Sequence, residues 1–322
     1  MNRHIDYLRI SLTDRCNLRC VYCMPEEGVQ LMKHQDLMSF EEILQLVRAL
    51  VPLGIRKIRL TGGEPLVRLG VEELIRSLRA IPDIEDITLT TNGILLEEKA
   101  EILKEAGLTR VNVSLDSLNP DKFHQITRWG DLERVRRGIR KAIQVGLTPV
   151  KVNVVAIRGF NDDEFLDFAR FAIEEDVQVR FIELMPIGES DEEAFLKHIP
   201  VDEIRGIIEK DYPLEETQSI RTNGPAENYL LPGGEGSVGF IGALSHKFCS
   251  SCNRLRLTAD GRMRPCLHKD LEYDVLKMIR EGAGEEELRD FVSREVIGNK
   301  PKEHEMEKGW GGQSRKMSQI GG

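Results

Sequence analysis

Cys16, Cys20 and Cys23 fall within eight residues, in the run Cys16-Asn17-Leu18-Arg19-Cys20-Val21-Tyr22-Cys23. Thiolates this close in sequence either share a metal or share a reactive site. A structural zinc normally takes four ligands, and His34 is the closest further candidate. Three thiolates are better explained by an iron–sulfur cluster with one iron left open, and an open iron suggests chemistry. The other three of the six cysteines, Cys249, Cys252 and Cys266, form a second group, so the chain reads as carrying two metal sites. As pure spacing, the second group is a zinc ribbon short of one ligand, which His246 or His268 would complete. Arg254-Leu255-Arg256 lies directly beside it, an arrangement useful for an anion and unnecessary for a structural zinc.

The elements that must position these residues are strands and helices in alternation. Strands are predicted at Tyr7–Leu12, Lys57–Leu60, Ile87–Thr91, Val111–Leu115, Val150–Val155 and Val179–Glu183. Ser39-Phe40-Glu41-Glu42 is a capping box, and Ile43, Leu46, Val47 and Leu50 follow it at helical spacing. Further helices are predicted at Val71–Ala80, Leu96–Ala106, Leu132–Val145, Asp163–Glu175 and Val201–Lys210, with Gly107 and Gly146 at C-cap positions. Such alternation argues for a parallel sheet with right-handed crossovers, either a partial barrel of six units or a doubly wound open sheet.

In either topology the strand C-termini open on one mouth. The first cysteine group, Gly62-Gly63-Glu64, Thr90-Thr91-Asn92, Ser114 and Asp116, and Met185 all gather there. Arg9, Lys57, Arg59, Lys151 and Arg180 occupy strand positions, where cations are poorly tolerated without partners. Arg9, Arg59 and Lys151 would point into one interior, which suggests a pocket for a polyanion such as a triphosphate.

The pattern changes after residue 211, dividing the chain into 1–211 and 212–322. Hairpins are predicted for Asn228–Leu231 with Ser237–Ile241, and for Arg254–Thr258 with Arg262–Arg264 around Asp260-Gly261. Helices follow at Val275–Arg280 and Glu285–Phe291. With 322 residues, 40% hydrophobic and 31% charged, this is an ordinary globular composition. No run of eighteen apolar residues indicates a membrane span, and the N-terminus carries no apolar signal core, so a cytoplasmic protein is expected. Net charge of −9 argues against broad nucleic-acid binding.

The spacing Cys-x3-Cys-x2-Cys, with Tyr22 before the last cysteine, resembles the signature of the radical S-adenosylmethionine (SAM) enzymes, and Gly62-Gly63-Glu64-Pro65 resembles their SAM-amino element. Over nearly its whole length the chain resembles the GTP 3′,8-cyclases of molybdenum cofactor biosynthesis. The resemblance is carried by Arg9–Met24, Lys57–Arg68, Leu89–Gly93, Val111–Asp116, Lys151–Val155, Arg180–Met185, Phe248–Leu257 and Ile320-Gly321-Gly322. It implies a partial (βα)6 TIM-type barrel, with a C-terminal α+β cluster-binding region closing the barrel mouth.

It also implies two [4Fe–4S] clusters, on Cys16, Cys20 and Cys23 and on Cys249, Cys252 and Cys266. SAM contacts would come from Tyr22, Gly63, Ser114, Asn153 and Met185. GTP contacts would come from Arg9, Arg59, Thr90, Lys151, Arg254, Leu255 and Arg256, with Lys57 and Arg180 as helpers. The Gly321-Gly322 tail would reach the active site, accompanied by a basic residue such as Arg315. The implied reaction takes hydrogen from C3′ of GTP and joins C3′ to C8 of guanine. Implied partners are a downstream cyclic pyranopterin monophosphate synthase and an electron donor such as ferredoxin or flavodoxin, with a homodimer left open. Two alternatives stand beside this reading. One is a radical SAM enzyme acting on a peptide, a class that usually carries more C-terminal cysteines. The other is a non-enzymatic zinc-binding interaction protein, which leaves the strand cations unexplained.

Overall fold

The computed structural model of the chain describes residues 3–186, 191–217, 224–233, 236–305, 315 and 317–321. Strands and helices alternate through the first part: β1 (Tyr7–Ser11), α1 (Phe40–Leu50), β2 (Lys57–Thr61), α2 (Val71–Arg79), β3 (Asp86–Thr91), α3 (Leu96–Glu105), β4 (Arg110–Ser114), α4 (Pro120–Thr127), α5 (Leu132–Gln144), β5 (Lys151–Ala156), α6 (Phe165–Glu174) and β6 (Gln178–Glu183). α7 (Asp191–Leu196) and α8 (Val201–Ile208) follow. The capping box forms as expected: Ser39 Oγ accepts from the Glu42 N–H at 3.2 Å and the Glu42 carboxylate accepts from the Ser39 N–H at 2.7 Å.

β1 to β6 pair in sequence order, all parallel. Each strand sends alternate residues to opposite faces. Leu8, Ile10, Ile58, Leu60, Ile87, Leu89, Val152, Val154, Val179 and Phe181 are buried in one core with the helix residues Leu46, Leu74, Ile139 and Phe168. The residues between them, polar and cationic, face the inner side.

The C-terminal part supplies β7 (Glu215–Glu216), β8 (Glu227–Leu230), β9 (Ser237–Ile241), β10 (Arg254–Leu257), β11 (Arg262–Arg264), β12 (Tyr273–Asp274), α9 (Val275–Arg280), α10 (Glu285–Phe291) and α11 (Met317–Ile320). Both predicted hairpins form, the second turning at Gly261 with φ of +69°. Neither hairpin stands apart from the barrel. β9 pairs parallel with β6 and β10 pairs parallel with β1, giving the order β12-β11-β10-β1-β2-β3-β4-β5-β6-β9-β8-β7. The barrel is partial and its sheet does not close, and the C-terminal strands extend both of its edges. The reason is pattern: Arg254-Leu255-Arg256-Leu257 repeats the polar–apolar alternation of β1, so Leu255 and Leu257 join the helix-side core while both arginines face inward. No described helix is long and apolar enough to cross a membrane.

Candidate active site

The first cysteine loop leaves β1 and is held against its neighbours through backbone groups. The Gly63 N–H donates to Thr13 O at 2.7 Å and the Glu64 N–H to Arg15 O at 2.8 Å. Here glycine is obligatory for lack of space. A Cβ on Gly62 would meet Thr13 O at 2.7 Å, and one on Gly63 would meet Arg15 O at 2.3 Å. On the other side, the end of α4 supports the loop. The Val21 N–H donates to Ile126 O, the Arg19 N–H to Thr127 O, and Trp129 Nε1 to Asn17 O. Arg128 bridges Arg19 O and Met24 O at 2.8 and 2.9 Å.

Two buried carboxylates, Glu64 and Asp116, which the sequence places at the mouth without a role, fix its walls. Glu64 accepts from Thr91 Oγ1 at 2.8 Å and from the Asn92 N–H at 2.7 Å, while Asn92 Nδ2 donates to Asn17 Oδ1 at 2.7 Å. Burial pushes Glu64 up to about 7 despite these bonds. Asp116 accepts from Tyr22 OH at 2.6 Å and from the Val155 N–H at 2.8 Å, tying the cysteine loop to β5. Burial pushes Asp116 up to about 6. Their signal in the sequence was position, since each follows a strand C-terminus.

Cys16, Cys20 and Cys23 influence one another electrostatically, and burial pushes Cys23 up to about 12. Among the described residues no three His, Cys, Asp or Glu side chains are close enough to grip one ion. Three soft thiols spread on one loop fit instead the separated iron corners of a cluster. Near this loop, Thr90 Oγ1, Asn153 Oδ1 and both side-chain polar atoms of Asn112 are buried without a hydrogen-bond partner among the described residues. Buried polar atoms in that state suit a polar ligand. Ser114 and Asn153 are register partners across β4 and β5, on that same inner face. Met185 is half-buried and packs against Ile320 of the chain's tail.

Next along the inner face runs a row of cations. Arg256, Arg9 and Arg59 are register partners on β10, β1 and β2. Neighbouring strands stand about 4.8 Å apart, so three like charges sit side by side. Lys151 and Arg180 join them from β5 and β6 and are 1% and 3% exposed. Burial first, then Arg180, Arg110 and Arg59, bring Lys151 down to about 5. Burial, Arg59 and Arg110 bring Arg180 to about 9, and burial with Arg254 brings Arg256 to about 10. Burial and the neighbouring arginines hold Arg9 well below its ordinary value. These shifts follow from burial and from the crowding of like charges.

Two other inner cations are already paired. Lys57 is 2.6 Å from Asp6, and Arg110, which sequence reasoning did not single out, forms a two-pronged bridge to Asp86 at 2.6 and 2.9 Å. Leu255 has no exposed surface on the helix side, leaving only its backbone toward the inner face.

The second cysteine group lies at the lower end of this row. Cys249 opens a single 3-10 turn, Cys252 precedes β10, and Cys266 follows β11. Burial raises Cys249, with Cys266 and Cys252 adding to it. Burial would raise Cys252 as well, but Arg254 and Lys300 outweigh it and bring the thiol down to about 7. These three thiols fit a second cluster on the same grounds. His246 is no ligand candidate here, since its ring nitrogen lies 2.8 Å from Asp202. His268 is buried near His304, their ring centroids 6.0 Å apart.

The tail enters from the open side. Arg315 bonds Asp260 at 2.7 and 3.1 Å and Glu272 at 2.9 Å. α11 follows, and Ile320 is fully buried against Met185, Leu244, Leu267 and Met317. Arg256 reaches the Gly321 carbonyl, and Gly322 lies outside the described residues.

A model of the radical SAM superfamily matches residues 10–172, and one described as Molybdenum Cofactor Synthesis C matches residues 177–306. The GTP 3′,8-cyclase of Moorella thermoacetica is 57% identical over 320 residues, covering 99% of this chain and 98% of its own. That of Desulforamulus reducens is 52% identical and covers 100% and 98%. Among solved structures, Streptococcus suis SuiB bound to S-adenosylmethionine aligns at a TM-score of 0.59, covering 90% of this chain and 68% of its own. At 15% identity that likeness is one of fold alone.

Proposed function

This chain belongs to the GTP 3′,8-cyclase family of radical SAM enzymes, and on that premise we propose that it converts GTP to 3′,8-cyclo-7,8-dihydro-GTP in molybdenum cofactor biosynthesis. The observation that carries the reading is the ladder Arg256–Arg9–Arg59, with Lys151 and Arg180, lying between two tri-cysteine groups.

Cys16, Cys20 and Cys23 would hold one [4Fe–4S] cluster and Cys249, Cys252 and Cys266 another. With SAM and an electron supplied, these groups provide the radical chemistry that takes hydrogen from C3′ of the ribose. The chain's own residues bind and orient. Gly63 leaves its backbone open to the SAM amino group, and Ser114, Asn153, Tyr22 and Met185 line the rest of that site. Arg9, Arg59, Lys151, Arg254 and Arg256 hold the triphosphate, with Arg180 beside them. Thr90 contributes a hydroxyl that lacks a protein partner among the described residues. Lys57 acts through its pair with Asp6, and Leu255 through its backbone. Ile320, the buried residue of the tail, excludes water from the mouth. Arg256 is shared between substrate and tail, which brings Gly321 into the reacting arrangement, and Gly322 is assigned there by the family resemblance alone. A cyclic pyranopterin monophosphate synthase would consume the product, and a low-potential carrier such as ferredoxin or flavodoxin would supply the electron.

The test is anaerobic incubation of reconstituted protein with GTP, SAM and a strong reductant. Formation of 5′-deoxyadenosine only when GTP is present supports the reading. Cleavage with a peptide and none with GTP would reverse it.

A further inference from the structure

The three segments that carry Cys249, Cys252 and Cys266 have little regular structure of their own, yet all are tied to one point. Lys300 Nζ donates to Arg254 O at 2.7 Å and to Pro265 O at 2.5 Å. Arg254 is two residues beyond Cys252, and Pro265 immediately precedes Cys266. Arg3 completes the set. Its guanidinium donates to Cys249 O at 2.9 Å, to Lys300 O at 2.9 Å and to Pro301 O at 2.7 Å. One lysine and one arginine, drawn from near both ends of the chain, thus pin each cysteine segment through its main chain.

Both are cations bonded to neutral carbonyls, and the ion pairs found among the described residues include neither of them. A half-buried ammonium in this setting is costly unless negative charge lies near. Thiolates holding a cluster at Cys249, Cys252 and Cys266 would supply it, and Lys300 bonds the carbonyls of Arg254 and Pro265 beside two of them. Arg254 is the first residue of β10, and its guanidinium lies over the Phe248 ring, 5.0 Å from the centroid. Holding its carbonyl therefore sets both a cysteine and a nucleotide-facing cation.

We propose that Lys300, braced by Arg3, is a positioning residue of the second tri-cysteine site. It sets the spacing of Cys252 and Cys266, offsets their charge, and registers Arg254 toward the nucleotide. This rests on the functional reading above, because it takes the second group to hold a cluster.

The experiment uses full-length protein, reconstituted anaerobically, with Lys300→Met, Lys300→Gln and Lys300→Arg beside wild type. The readouts are iron per chain, the reduction potential of the second cluster in a Cys16→Ala/Cys20→Ala/Cys23→Ala background, and GTP affinity by calorimetry. Loss of the positive charge should lower the second-cluster potential or its iron occupancy and weaken GTP binding at least ~10-fold, with Lys300→Arg retaining most of both. Wild-type iron, potential and GTP affinity in Lys300→Met would overturn the proposal. If Lys300→Met fails to fold, Lys300→Gln keeps a donor without the charge, and unchanged values there overturn it equally. A wild-type protein that makes no 5′-deoxyadenosine with GTP would count against the functional reading instead, and the iron and potential comparisons would still decide the role of Lys300.

Discussion

Arg256 donates a hydrogen bond to the carbonyl oxygen of Gly321 at 2.7 Å. This joins the inner arginine row to the end of the chain. Gly321 has φ of +72°, and a Cβ there would meet Thr61 Oγ1 at 2.6 Å and Ser11 Cβ at 3.1 Å. No side chain fits between the ends of β1 and β2 at that point.

Gly321→Val should therefore lower kcat about 100-fold, the scale expected when a reacting group is displaced by about 1 Å. Iron content should not change. Deleting Gly321 and Gly322 together should abolish GTP conversion while both clusters remain. Undiminished turnover by the truncated protein would remove the tail from the mechanism.

Lys151 makes the ligand-free protein sensitive to pH. Its side chain sits at about 5 in the fold, against an ordinary value of 10.5. Between those values the unfolded chain holds the extra proton, so stability should rise as pH rises through neutrality. A bound triphosphate restores the ammonium, so GTP binding should take up close to one proton at pH 7. Calorimetry in buffers of different ionisation enthalpy measures that uptake. It should vanish in Lys151→Met, whose GTP affinity should fall roughly 10- to 100-fold.

Replacing Cys249, Cys252 and Cys266 by alanine should remove about half of the iron, since each group of three would hold one cluster. GTP binding should weaken, because the nucleotide loses one side of its pocket. Iron assay and equilibrium binding check both. Full iron content in the triple variant would place the metal elsewhere.

Glu183 is a test of stability rather than of chemistry. It accepts from the Val201 N–H at 3.0 Å and from the Leu244 and Ser245 N–H groups at 2.7 and 3.0 Å. Burial would raise it, yet His198, Ser245 and these amides bring it down to about 2. Its stabilisation is present above the unfolded value and is lost as pH falls toward 2. Glu183→Gln should cost about 2–4 kcal/mol at pH 7 and flatten the acid limb of a denaturation profile. An unchanged Tm would contradict that.

The parallel strands, the helices α1, α2, α3, α5, α6 and α8 and both cysteine groups were legible because their signals are local. α4 was not, although Asn119-Pro120 is an N-cap followed by proline at N1, because only Phe123 and Ile126 mark its apolar face. Which strand cations are already neutralised was also hidden. Lys57 is paired with Asp6 and Arg110 with Asp86 only through cross-strand register, which one strand's sequence does not contain. The same limit concealed the partners of β9 and β10. Their alternation announced strands, but nothing local says that β10 lies against β1.

That pairing also orders events in time. Arg9 faces Arg256 across β1 and β10, so a strand that ends at Ser11 is completed by one that begins at Arg254. On the ribosome, β1 keeps an open hydrogen-bonding edge until residue 257 has emerged, an exposure that favours mispairing. The first cysteine loop is complete long before then, whereas the inner arginine row cannot form until β10 has emerged. While the residues between the two strands are being made, one edge of β1 is bare.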